Sequence, residues 1–352
     1  MDSDDRRAER PAVFLSGLLT PEILAEEGFA EPFRARQLYR WIRRGVGDFE
    51  RMTTLPREDR ERLAAKYGAL RSSTVQKELE DPDGSLKLQI RLRDGAAVEC
   101  VLLEDIEGRK TACLSCQVGC PMGCTFCKTG TLGFLRNLGP DEIMEQFHHL
   151  KQRRGAISNV VFMGMGEPML NLEAVRKAIA ILADPEGIHM SLRKITISTC
   201  GIVPGILDLA ERGPRVRLAV SLTAADDAMR TELMPVNKSW NLADLQKALI
   251  RYQEMTGERV TLEAVLTGNR NAGPDAAKAL IRWVEPLKAQ VNLIPWNAVP
   301  GLPFTQPSRS QVEAFTSALE KAKVVTVQRM HRGRGVMGAC GQLGDTLRSA
   351  EP

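Results

Sequence analysis

Short apolar runs alternate with amphipathic stretches over most of this chain. KTACLSC (110–116), SNVVFMGM (158–165), KITISTC (194–200), VRLAVSL (216–222), RVTLEAVL (259–266) and VNLIPW (291–296) are each followed by a helix-period segment, starting near residues 141, 172, 202, 241, 272 and 308. A short apolar run bounded by turn residues predicts a buried strand. Six strand–helix units and a last strand-like VVTVQRM (324–330) therefore predict an α/β fold, a partial (β/α)6 barrel left open because two of the eight units of a closed barrel are missing. Ahead of it, residues 1–92 read as a small α+β accessory domain, with helical patterns near 31–45 and 56–67 and two extended runs turning at Asp81-Pro82-Asp83-Gly84. The core domain is expected at 93–352.

The length of 352 residues suits a barrel with an accessory domain. Net charge is only +4, so any nucleic-acid contact must come from local basic patches. The first residues carry Asp2, Asp4 and Asp5 among arginines, and no apolar run approaches a membrane span, which leads us to expect a cytoplasmic protein without membrane contact. Eight cysteines in such a chain favour metal or catalytic chemistry over disulfide staples.

Active sites of parallel barrels lie at the C-terminal ends of the strands, and the polar oddities here fall there. Gly164 to Pro168 end the second run, Ser198 and Cys200 the third, Ser221 and Thr223 the fourth and Asn297 the sixth. Glycine and serine are common in turns, but the first run is followed by CPMGCTFC. Cys120, Cys124 and Cys127 offer three thiolates where a cubane iron-sulfur cluster normally takes four. One iron is then left to bind a small molecule. A zinc site built from Cys113-x2-Cys116 and Cys124-x2-Cys127 is the rival from a different class, a zinc-stabilised RNA-binding module without catalysis. Its pairs are too close together for a zinc ribbon, and it leaves Cys120 over.

The C-x3-C-x2-C spacing, with Phe126 before the last cysteine, resembles the signature of radical S-adenosylmethionine (SAM) enzymes. FRARQLYRWIRRGVGDFERMTTLP (33–56), CLSCQVGCPMGCTFC (113–127), FMGMGEP (162–168) and GACGQL (338–343) extend the resemblance to the RlmN/Cfr family of radical SAM RNA methyltransferases. The resemblance implies one 4Fe-4S cluster on Cys120, Cys124 and Cys127, two SAM molecules per turnover, and methylation of adenine C2 in 23S rRNA, with tRNA as a further substrate. C8 of adenine is the alternative target. It implies that Cys340 takes a methyl group from one SAM, that a radical made from the second removes hydrogen from that methyl, and that the resulting carbon radical adds to adenine. Glu99 would then take the ring proton, and Cys113 would attack Cys340 sulfur to release product, leaving a transient disulfide for reductant to reopen.

For SAM the resemblance implies contacts from Gly166, Glu167, Ser198, Ser221, Leu222, Thr223 and Asn297. Thr223 stands where the family more often has histidine, Cys116 where it usually has serine, and one more residue than expected separates Glu99 from Cys113. An electron donor such as flavodoxin or ferredoxin is implied, and a monomer is expected. Two basic runs are candidate RNA contacts: Arg34, Arg36, Arg40, Arg43 and Arg44 around Tyr39 and Trp41, and Arg329, His331, Arg332 and Arg334 beside Cys340. For the first, an amphipathic helix with Leu38, Trp41 and Ile42 turned inward is the competing reading.

Overall fold

The computed structural model describes residues 32–328 and 332–347. Helices α1 (Pro32–Arg43) and α2 (Arg57–Tyr67) come first. Helices this short are marginal alone and hold by burying an apolar stripe. Ala35, Leu38 and Leu63 do so against Phe49, Met52, Leu55 and Leu70, in a small core of their own.

Strands β1 (Thr74–Glu80), β2 (Leu86–Arg91) and β3 (Ala97–Glu104) follow as an antiparallel meander. Next are β4 (Lys110–Cys113), β5 (Gln117–Gly119), the single turn α3 (Lys128–Thr131) and β6 (Phe134–Asn137). The alternation then becomes regular: α4 (Pro140–Arg154), β7 (Asn159–Phe162), α5 (Leu172–Ala183), β8 (Ile195–Thr199), α6 (Val203–Arg212) and β9 (Arg217–Ser221). It continues through α7 (Asp227–Leu233), α8 (Leu242–Thr256), β10 (Val260–Leu266), α9 (Pro274–Val284), β11 (Ala289–Pro295), α10 (Arg309–Lys321) and β12 (Thr326–Gln328).

One sheet of ten strands runs β1-β2-β3-β4-β7-β8-β9-β10-β11-β12, parallel from β4 onward. This is the open α/β barrel expected, with an antiparallel extension on one edge. The helices α4, α5, α6, α8, α9 and α10 begin within two residues of their expected starts, because the start signals are strong. Pro140 and Pro274 occupy first helical positions, Asn241 accepts from the Ala243 and Asp244 amides, and Ser308 and Gln311 form a capping box.

Two features differ from expectation. The border at residue 92 falls between β2 and β3, which pair from Leu86–Leu102 to Arg91–Ala97, so the sheet crosses it. Both strands are buried on both faces, which a free-standing hairpin cannot be. The unit with its own core is the helical pair ending near Leu70. Second, β5 and β6 form a separate ribbon around the cysteine segment, too short to leave a pattern in the sequence.

Candidate active site

The parallel strands open their C-terminal ends onto one cavity lined by Cys120, Cys124 and Cys127 together with Gly166, Glu167, Ser198, Ser221 and Cys340. Backbone bonds fix the cysteine segment. The Cys120 amide donates to Gly133 O at 2.7 Å, the Thr125 amide to Leu233 O at 3.0 Å, and the Trp296 indole to Phe126 O at 2.9 Å. Gly130 must lack a side chain, since a Cβ there would lie 2.7 Å from Cys124 O.

Burial pushes all three thiols upward, Cys120 to about 12. Such thiols stay protonated until a metal compensates for their desolvation. Three sulfurs on one loop facing a shared cavity fit a cluster with one open iron. They do not fit the zinc reading. Cys116 is buried and lines neither this cavity nor the one described next.

The side of the cavity where SAM contacts are expected is built for close approach. Gly166 has φ +104°, and a Cβ there would meet Gln117 Cβ at 2.6 Å and its backbone N at 2.8 Å, so only glycine fits. Glu167 is buried. Burial raises its carboxyl pKa, offset in part by hydrogen bonds from the Cys200 amide (2.7 Å) and the Met169 amide (3.0 Å). A cationic ammonium group in the cavity would favour the ionised form. Thr223 is buried at φ +60°, strained for a β-branched residue, and its hydroxyl has no partner among the described residues.

Three residues expected to touch SAM do not line this cavity. Leu222 and Thr223 donate their amides to Glu263 O, at 2.9 and 3.2 Å. Asn297 lies on a second cavity and holds the C-terminal loop, its Nδ2 donating to Cys340 O at 3.2 Å while its Oδ1 accepts from Arg334 Nε at 3.1 Å.

That second cavity is lined by Cys113, Asn297, Arg332 and Cys340, and Met163, Ile294, Cys340 and Leu343 line both cavities. Cys340 is thus exposed at their junction. Its loop is tied to the cysteine segment by the Lys128 amide donating to Gly341 O at 2.7 Å and by Thr129 Oγ1 donating to Leu343 O at 2.6 Å. Among the described residues no cysteine stands in a disulfide.

Glu99 is fully buried in β3 and lines neither cavity. Cys113 pairs directly with Val101 across the sheet, so Glu99, Val101 and Cys113 share one face. The C-terminal loop packs on that face. Glu99 accepts from the Gly344 amide at 2.8 Å and the Asp345 amide at 3.3 Å, and pairs with buried Lys87 at 2.9 Å.

Two charged residues escaped the sequence reading. Lys87 had a signal, a lysine inside the apolar strand LKLQI. Arg230 had none, since an arginine in an amphipathic helix is ordinary. It is fully buried, and its guanidinium donates to Cys200 O (2.7 Å), Leu222 O (3.2 Å) and Asn237 Oδ1 (2.9 Å), tying the ends of β8 and β9 together beneath the cavity.

The first basic run is mostly structural. Arg34 pairs with Asp59 at 2.7 Å and Arg40 with Glu186 at 2.8 Å, while Arg43 is buried over the Tyr39 ring, whose hydroxyl donates to Asp184. Arg36 and Arg44 remain exposed. In the second run Arg332 lines the Cys113 cavity; Arg329 and His331 lie outside the described residues.

Comparison with known proteins agrees with this arrangement. Residues 114–277 match the radical SAM superfamily and residues 24–67 the ribosomal RNA large subunit methyltransferase N-terminal domain. A probable dual-specificity RNA methyltransferase RlmN from Treponema pallidum (strain Nichols) is 50% identical over 332 residues, 94% of this chain and 97% of the relative. The dual-specificity RNA methyltransferase RlmN of Anaeromyxobacter dehalogenans is 43% identical, over 89% of this chain and 86% of its own. The crystal structure of a radical SAM methyltransferase from Sphaerobacter thermophilus superposes with a TM-score of 0.87 at 38% identity, covering 94% of this chain and 98% of that one. Cysteine trio, adjoining cavity and C-terminal thiol thus stand in a chain that belongs to the RlmN family of radical SAM RNA methyltransferases, enzymes that work with a 4Fe-4S cluster and SAM.

Proposed function

We propose that this enzyme methylates C2 of adenine in 23S rRNA and in tRNA. The observation that carries the reading is Cys340 at the junction of two cavities, one shared with Cys120, Cys124 and Cys127 and the other with Cys113. A methyl carrier must meet SAM on one side and an adenine on the other. The names of the relatives, dual-specificity RNA methyltransferases, support two RNA substrates.

In this reading Cys120, Cys124 and Cys127 hold the cluster, which when reduced supplies the electron that cleaves SAM. Gly166, Glu167, Ser198 and Ser221 orient SAM, with Leu222 and Thr223 shaping the wall behind Ser221. Asn297 holds the Cys340 loop at the substrate side. Cys340 accepts the methyl group and delivers it as a methylene bridge to the adenine ring carbon; the Cys113 thiolate then attacks the Cys340 sulfur, the carbon–sulfur bond breaks with its electron pair going to the adduct, whose methylene carbon is protonated to the new methyl group, and the disulfide formed is reopened by reductant. Glu99 takes up the ring proton after the 344–345 amides release its carboxylate, one residue beyond Leu343 on the cavity wall.

We further infer a cytoplasmic monomer served by a small electron carrier such as flavodoxin or ferredoxin. No helix among the described residues is long and apolar enough to cross a membrane. The helical unit of residues 32–70, with Arg36 and Arg44 exposed, and Arg332 beside Cys340 are the RNA contacts we propose.

The test is mass spectrometry of nucleosides from 23S rRNA and tRNA of a strain lacking this gene and of the same strain with it restored. We expect 2-methyladenosine to return in both RNAs. Its return in neither would reject the substrate assignment.

A further inference from the structure

A closed parallel barrel is filled by layers of branched apolar side chains; this open one is not. Below the SAM cavity, Thr196, Thr261, Glu263, Gln290 and Asn292 line a separate polar cavity of about 430 Å3 at the N-terminal ends of the strands. Four arginines ring its mouth. Arg193 precedes β8, Arg215 and Arg217 lie at the start of β9, and Arg259 immediately precedes β10. Parallel pairing brings these positions to one end of the barrel.

None of the four has an ion-pair partner among the described residues, whereas Arg153, Arg176 and Arg212 on the barrel helices are all paired. The carboxylates on the cavity wall are Glu258 and Glu263, so the lining carries four positive charges against two negative, a net of +2. Guanidinium groups converging on a cavity favour phosphate, which their planar donors meet in a bidentate manner. Beneath them Gln290 Nε2 donates to Asn292 Oδ1 and Asn292 Nδ2 to Glu263 Oε1, each at 3.0 Å, which leaves the Gln290 carbonyl, the second N–H of each amide and the hydroxyls of Thr196 and Thr261 to meet a base and ribose. The volume lies within the roughly 300–1,000 Å3 of small-ligand sites.

We propose that this mouth binds a nucleoside polyphosphate, phosphates on the four arginines and nucleoside in the polar lumen. An RNA chain fits the position less well. The seven residues of β10 separate the two mouths by roughly 20 Å, so a strand bound here lies away from the cysteine trio and Cys340. Met163 and Glu263 line this cavity and the SAM cavity alike, so they form the wall between the two.

Isothermal titration calorimetry of the intact protein with uridine 5′-triphosphate, which lacks the adenine suited to the SAM cavity, tests the proposal. We expect one site, with pyrophosphate at least about tenfold weaker and an Arg217→Glu/Arg259→Glu variant likewise at least about tenfold weaker. Both substitutions are at exposed positions remote from the cysteines, so RNA methylation by the variant should match that of the parent. Absence of binding, binding unaffected by the charge reversals, equal affinity for pyrophosphate, or displacement of the nucleotide by a substrate RNA fragment would each overturn it.

Discussion

Lys87 Nζ lies 2.9 Å from the Glu99 carboxylate, both side chains buried, and the remaining bonds of that carboxylate go to the Gly344 and Asp345 amides. Lys87 also donates to Met337 O at 3.3 Å. The pair therefore fastens both ends of the loop that carries Cys340. Removing one partner strands a buried charge, so Lys87→Met should destabilise the protein by about 3–5 kcal/mol. Lys87→Met/Glu99→Gln should lose less than the sum of the single changes. Urea denaturation decides: additive losses would mean that the two charges are not coupled.

Gly166 lines the cavity of the cysteine trio, where we propose that SAM binds. Gly166→Ala forces φ +104° on an alanine and brings its Cβ within 2.6 Å of Gln117. We expect a loss of about 1–3 kcal/mol in stability and weaker SAM binding. Thermal unfolding and equilibrium dialysis with SAM would show it, and unchanged values in both would remove Gly166 from the site.

Cluster ligation separates four cysteines that sequence alone could pair in different ways. Cys120→Ala, Cys124→Ala and Cys127→Ala should each purify anaerobically without the iron-sulfur absorbance, while Cys116→Ala, whose side chain lines neither cavity, should keep it. Iron retained in Cys120→Ala but lost in Cys116→Ala would show that the trio is wrongly chosen.

The open barrel and the cysteine segment could be read in advance because their signals are local: apolar runs, the amphipathic stretches between them, and tightly spaced thiols. What escaped depends on contacts distant in sequence. β2 and β3 are buried on both faces only because α4 and the C-terminal loop cover them. The basic run in α1 looked like an RNA surface, yet Arg34 and Arg40 find their acids 25 and 146 residues away. Asn297 sits at a strand end as barrel logic requires, but loop 338–343 folds over it and turns it toward Cys340.

Acid should loosen the junction between α4 and the segment ahead of β1. His149 bonds Ser73 Oγ at 3.0 Å, and burial pushes its pKa down to about 4; burial also holds the pKa of neighbouring His148 well below the ordinary value. The unfolded chain protonates both near pH 6.5. It therefore binds more protons than the native state between about pH 6.5 and 4, and stability falls with pH through that window, by roughly 3 kcal/mol for His149. Urea midpoints measured from pH 7 to pH 4.5 should fall steeply in the parent and less in His149→Gln. Parallel curves would exclude His149 as the cause.

The order of thiols is the centre of the account, and Cys113→Ala tests it most directly. With Cys340 at the junction of the two cavities and Cys113 on the second of them, this variant should still take a methyl group onto Cys340 and still add it to adenine, but fail to release it. It should purify with RNA covalently attached, detected by nuclease digestion and mass spectrometry of the Cys340 peptide. Cys340→Ala and Cys113→Ala/Cys340→Ala should carry none. Free methylated RNA formed by Cys113→Ala at the parent rate, with no adduct on Cys340, would contradict the account.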